Sequence, residues 1–229
     1  MSRPVRHVYA AVILLIGLTA IPALARLPYG RPDRAGNPPL MNTCGTGPGN
    51  CHSPDVGLCD ANPAGMVEIL PDGGAWPECY ACGQTYNFKV KVTDNGPTKK
   101  RWGFEVGAQY EDGVNNDKRA GVIDNNGGPT RKVTSDDGMR DFIVHDSGSP
   151  AGDGTYENQV GGAEWKFKWT APACNETNTS MCFYASGVAA DADGGRGGDC
   201  VYLATRCLDP CPVRNVKKSW GKMKREYKP

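Results

Sequence analysis

Cys44, Cys51 and His52, in the run TCGTGPGNCHS, have residue types and an order that could do chemistry. A c-type haem is tethered when two thiols add to its vinyl groups, and the histidine after the second cysteine ligates the iron. The usual spacing is C-x-x-C-H; here six residues separate the cysteines. The same residues also read as two disulfide half-cystines beside a histidine, with Cys44 paired to Cys59 or to a more distant cysteine. A six-coordinate iron needs a second axial ligand. Apart from His7, near the N-terminus, the chain holds only His52 and His145. Two neutral imidazoles would suffice. Met41, Met66, Met139 and Met181 are the thioether alternatives, which would raise the reduction potential.

Other groupings carry weaker chemistry. Cys79 and Cys82, in CYAC, have the spacing of a redox dithiol but lack the βαβ context of one, which favours a structural role. A zinc site shared by that pair with Cys59 and His52 lacks a second C-x-x-C. Asp191, Asp193 and Asp199, in DADGGRGGD, alternate carboxylates as a calcium loop does, but the loop has no bidentate glutamate and contains Arg196. A solvated turn between two strands is the simpler reading. Asn175 and Asn178 are formal glycosylation acceptors in a loop read as closed by Cys174 and Cys182. GTGPG (45–49) has no strand before it and no lysine after it, so it is not a phosphate loop. No serine–histidine–acid order or G-x-S-x-G occurs, and no catalytic residue is assigned.

The elements that must position these residues begin with a leader. Arg3 and Arg6 precede the apolar run VYAAVILLIGLTAIP, and Ala23-Leu24-Ala25 fits a small-residue cleavage site, so residues 1–25 read as a signal peptide. The apolar run is shorter than the ~20 residues of a membrane span. All ten cysteines follow it: Cys44, Cys51, Cys59, Cys79, Cys82, Cys174, Cys182, Cys200, Cys207 and Cys211. An exported chain of this kind is usually disulfide-stapled. Either five disulfides, or a haem plus four disulfides, would use all ten. The net charge of +1 hides an acidic body of −7 over residues 26–212 and a basic tail of +6 over residues 213–229. That asymmetry points to partner steering or a self-contact and away from nucleic acid binding.

Residues 26–65 are rich in Pro and Gly, show no periodicity, and read as an irregular segment held by cysteines. From Met66 to residue 212 the sequence breaks into short runs with strand alternation. Examples are QTYNFKVKVTD, where Tyr86, Phe88, Val90 and Val92 alternate with polar neighbours, and AEWKFKWTAP, where Trp165, Phe167 and Trp169 do. Seven to nine such strands predict an all-β, immunoglobulin-like antiparallel sandwich. In residues 213–229, Val213, Val216, Trp220, Met223 and Tyr227 recur at three- and four-residue spacing, which predicts a basic amphipathic helix. It would pack on the acidic body, a membrane surface or a partner.

The ordered series YACGQTYNFKVKVTD, RWGFEVGAQYEDG, FIVHDSGSP, WKFKWTAPA and FYASGVAADADGGRGGDCVY resembles the Reeler (reelin-domain) superfamily across roughly residues 36–206. It is most similar to the bacterial secreted branch with choice-of-anchor V domains. The resemblance implies an immunoglobulin-like sandwich preceded by a Gly/Pro-rich segment that often carries TC-x-x-CH. Cys44, Cys51 and His52 occupy that place with four residues inserted, and His145 stands where the family motif has a histidine. The expectation is therefore an exported, non-enzymatic protein that carries one haem c and transfers single electrons. Cys44 and Cys51 would tether the haem, and His52 and His145 would ligate its iron. A redox partner protein or cell-surface component would dock through the tail, in the periplasm or outside the cell. The competing expectation is a haem-free, disulfide-stapled binding or adhesion module.

Overall fold

The computed structural model describes residues 29–46, 52, 65–112, 115–173, 179–195 and 197–212. The leader, the tail helix, the glycosylation acceptors, Cys51, Cys59 and Cys174 lie outside these residues. Nine strands are described: β1 (Gly65–Pro71), β2 (Thr85–Asp94), β3 (Arg101–Tyr110), β4 (Val122–Asn125), β5 (Thr130–Thr134), β6 (Asp141–His145), β7 (Gly161–Thr170), β8 (Met181–Ala190) and β9 (Cys200–Leu208). They form two antiparallel sheets, ordered β1-β2-β7-β4 and β5-β6-β3-β8-β9. The expected all-β sandwich is the observed architecture.

Alternation builds the core. Along β7, Ala163, Trp165, Phe167 and Trp169 are buried while Glu164 and Lys166 are exposed, because successive side chains leave opposite faces of the pleat. Phe88, Val90 and Val92 do the same on β2. They meet Phe104, Val106 and Phe183 from the opposing sheet, with Phe104 stacked on Trp165 at 4.6 Å between ring centroids. Each buried indole N–H has a carbonyl to donate to: Trp165 Nε1 to Gly154 at 2.8 Å and Trp169 Nε1 to Ala120 at 2.6 Å. At Gly187 on β8, an added Cβ would come within 2.5 Å of Val92 Cγ2, so a bare backbone lets the sheets approach there.

β3 and β8 are buried on both faces. Their outer face is covered by residues 29–46, the stretch that shows no periodicity in sequence. Ala35 packs with Phe142, Val144, Cys182 and Tyr184 in a second apolar cluster. The Arg34 amide donates to Glu105 Oε1 at 2.7 Å, and Arg140 Nε donates to Asp33 Oδ1 at 2.7 Å. The segment is thus a third layer, held by burial and hydrogen bonds.

The disulfides correct one expectation. Cys182 bonds Cys207 rather than Cys174, because β8 and β9 place residues 182 and 207 directly opposite each other. Cys79 bonds Cys211 across a sequence separation of 132 residues and clasps the start of the sandwich to its end. Replacing that pair by serine (Cys79→Ser with Cys211→Ser) is expected to lower unfolding free energy by about 2–5 kcal/mol, because the unfolded chain regains the entropy of a long loop. Urea unfolding reads this as a lower midpoint, and an unchanged midpoint would show that the clasp carries no stability.

Candidate functional site

At one end of the five-stranded sheet, β3 begins beside the ends of β6 and β8, since its neighbours run antiparallel to it. A cavity of about 90 Å³ opens there between the sheet's outer face, the N-terminal layer and the β8–β9 loop. It has room for several water-sized groups, and anything larger stays partly open to solvent. Cys44, His52 and His145 all line it, as do Asp191, Asp193 and Asp199. Three candidate groupings, scattered over 156 residues of sequence, therefore face one space.

His52 is held by Asp199, whose Oδ2 lies 2.6 Å from its Nδ1. Asp199 is 2% exposed, and its other oxygen, Oδ1, accepts the Asp191 amide at 3.3 Å. An imidazole that donates Nδ1–H to a carboxylate carries its lone pair on Nε2, the arrangement common in metal-ligating histidines. Cys44 Sγ lies 3.6 Å from the hydroxyl of fully buried Ser186 on β8.

His145 ends β6, and its ring lies against Gly103, where an added Cβ would meet Cε1 at 3.0 Å. Its Nδ1 sits 3.2 Å from the Phe104 amide nitrogen and 3.3 Å from the Phe104 carbonyl oxygen. The same residue can therefore donate to Nδ1 or accept Nδ1–H, and in the second case Nε2 carries the lone pair. Burial lowers the pKa of His145 to about 4, a shift reinforced by the charges of His52 and Arg101. The ring is neutral at physiological pH, as a metal ligand must be.

The methionine candidates are elsewhere. Met41, Met66 and Met139 are exposed, Met181 is in the sandwich core, and none lines the cavity. Asp191 and Asp193 cap their own loop: Asp191 Oδ1 accepts the Asp193 amide at 3.1 Å, and Asp193 Oδ1 accepts the Gly195 amide at 2.5 Å. This is a turn's use of aspartate. No group of three or more His, Cys, Asp or Glu side chains among the described residues converges on a metal position, so the calcium and zinc readings gain nothing. The dithiol reading is overturned: Cys79 bonds Cys211, and Cys82 is disulfide-bonded as well. The role of Asp199 toward His52 has no local signal, since 147 residues separate the two.

No protein-family model matches the chain. No curated protein matches it. Among solved structures, it is similar to the human F-spondin reeler domain at 16% identity, with 64% of this chain and 89% of that chain covered and a TM-score of 0.39. It is also similar to a cohesin module from a Clostridium perfringens family 33 glycoside hydrolase at 9% identity, with 64% and 96% covered and a TM-score of 0.41.

The lowered pKa of His145 sets a pH dependence. Between about 4 and the ordinary 6.5, the unfolded chain binds a proton that the folded chain refuses. His145 therefore makes stability fall as pH is lowered through that window, by at most about 1.4 kcal/mol per pH unit. Glu105 acts in the opposite direction, because burial raises its carboxyl well above its ordinary value. Comparing wild type with His145→Asn by urea unfolding at pH 7 and pH 4.5 isolates the histidine. Wild type should lose more stability on acidification than the variant, and equal losses would refute the assignment.

Proposed function

We propose that this chain is an exported haem-binding β-sandwich that transfers single electrons, with Cys44 and Cys51 as the tethering thiols and His52 and His145 as the axial ligands. The observation that carries this reading is that the two histidines following the leader, 93 residues apart, line the same cavity as Cys44. The donor chemistry fits: each imidazole has its Nδ1 engaged by a protein group, and each can present Nε2. When bound, the haem would supply reversible one-electron chemistry at iron.

The protein's part is to orient both imidazoles and to hold His145 neutral. The cavity is much smaller than a porphyrin, so part of the ring would stay open to solvent, where a redox partner can approach. Disulfides at Cys79–Cys211 and Cys182–Cys207 suit an oxidising compartment and support export. The basic residues 213–229 would dock an acidic partner or an anionic surface, with binding weakened by salt.

Expression in a host with haem-maturation machinery tests this. The expected product has a Soret band and an intact mass increased by one haem. Cys51→Ala should abolish covalent attachment, and His145→Ala should convert a six-coordinate low-spin spectrum to a five-coordinate or water-ligated one. A colourless protein of unincremented mass would instead support the haem-free binding module.

A further inference from the structure

Asp199 lies at the threshold of β9, next to disulfide-bonded Cys200, and is almost wholly buried. Its two carboxylate oxygens face different partners. Oδ1 takes the Asp191 amide, and Oδ2 faces His52 Nδ1 at 2.6 Å. The Lys99 ammonium donates to the carbonyl of the preceding Gly198, which holds the strand's entry against the start of β3. A buried carboxylate fixed at both oxygens is a rigid acceptor, and an acceptor at Nδ1 selects the tautomer whose lone pair is on Nε2.

We infer that Asp199 is the positioning residue of this site: it holds His52 as the Nδ1–H tautomer, oriented so that Nε2 is the ligating nitrogen, and it makes that nitrogen a stronger donor to iron. The inference rests on the haem reading for its second part only; the tautomer is a property of the chain itself. Asp199→Asn keeps shape and volume but reverses one hydrogen bond. The side-chain oxygen remains committed to the Asp191 amide, so the new NH₂ faces His52 and donates to Nδ1. The lone pair then sits on Nδ1 and the proton on Nε2. A comparable Asp→Asn exchange in serine proteases leaves the geometry intact and yields the wrong histidine tautomer.

The experiment has two readouts. In haem-free protein, ¹⁵N-detected NMR of the His52 ring should show Nδ1–H in wild type, Nε2–H in Asp199→Asn, and recovery of Nδ1–H in Asp199→Glu. An Nε2–H ring in wild type, or an unchanged tautomer in Asp199→Asn, overturns the assignment. In haem-bearing protein, ligation through Nε2 forces the proton back to Nδ1, and the midpoint potential of Asp199→Asn should rise, because an imidazole without a carboxylate acceptor is less basic and stabilises ferric iron less. An unchanged potential overturns the donor-strength claim. If wild type takes up no haem while its His52 ring is Nδ1–H, the electron-transfer function falls and the positioning role of Asp199 stands.

Discussion

The covering of β3 by the N-terminal layer is the constraint on which the rest of the structure depends. β3 carries Glu105 on a face that would be solvated in an ordinary two-layer sandwich. Here that carboxylate is 1% exposed and accepts the Arg34 amide at 2.7 Å. Removal from water raises its pKa well above the ordinary value, and the backbone hydrogen bonds from residues 34 and 35 offset part of that cost. Leaving the carboxylate buried without those donors would be far worse, so the layer and the strand require each other. Arg140 to Asp33, Gln109 to the Pro38 carbonyl, and Ala35 against Phe142 and Val144 extend the same seam.

The cavity exists because that seam ends. Gly30 and Cys44 from the N-terminal layer, the ends of β6 and β8, and the β8–β9 loop meet there without filling the space. The N-terminal part of the chain supplies Cys44 and His52, β6 supplies His145, and the loop supplies Asp199, which holds His52. Gly103 lacks the side chain that would otherwise collide with the His145 ring. Both imidazoles are thus anchored to the sandwich by groups outside their own local motif.

Much of the fold was legible because strand alternation is a local signal. The Trp165, Phe167, Trp169 and the Phe88, Val90, Val92 series each read as a half-buried strand, and each is one. The disulfides were less legible. The short loop between residues 174 and 182 favoured the wrong partner for Cys182, whereas the pairing follows from which residue stands opposite on β9. The N-terminal layer carried no periodic signal, because its packing relies on isolated residues such as Ala35 and on backbone donors that any sequence possesses.

The sequence by itself determined the β-sandwich class, the cysteine-rich composition and the small set of residues with ligand chemistry. Periodicity and residue type are properties of neighbours along the chain. Only the tertiary structure decided that His52 and His145 share a cavity with Cys44, that Asp199 faces His52, and that Cys79 is a clasp and not a redox thiol. Those outcomes depend on strand register and on the layer over β3, and burial energy summed over the whole core sets both.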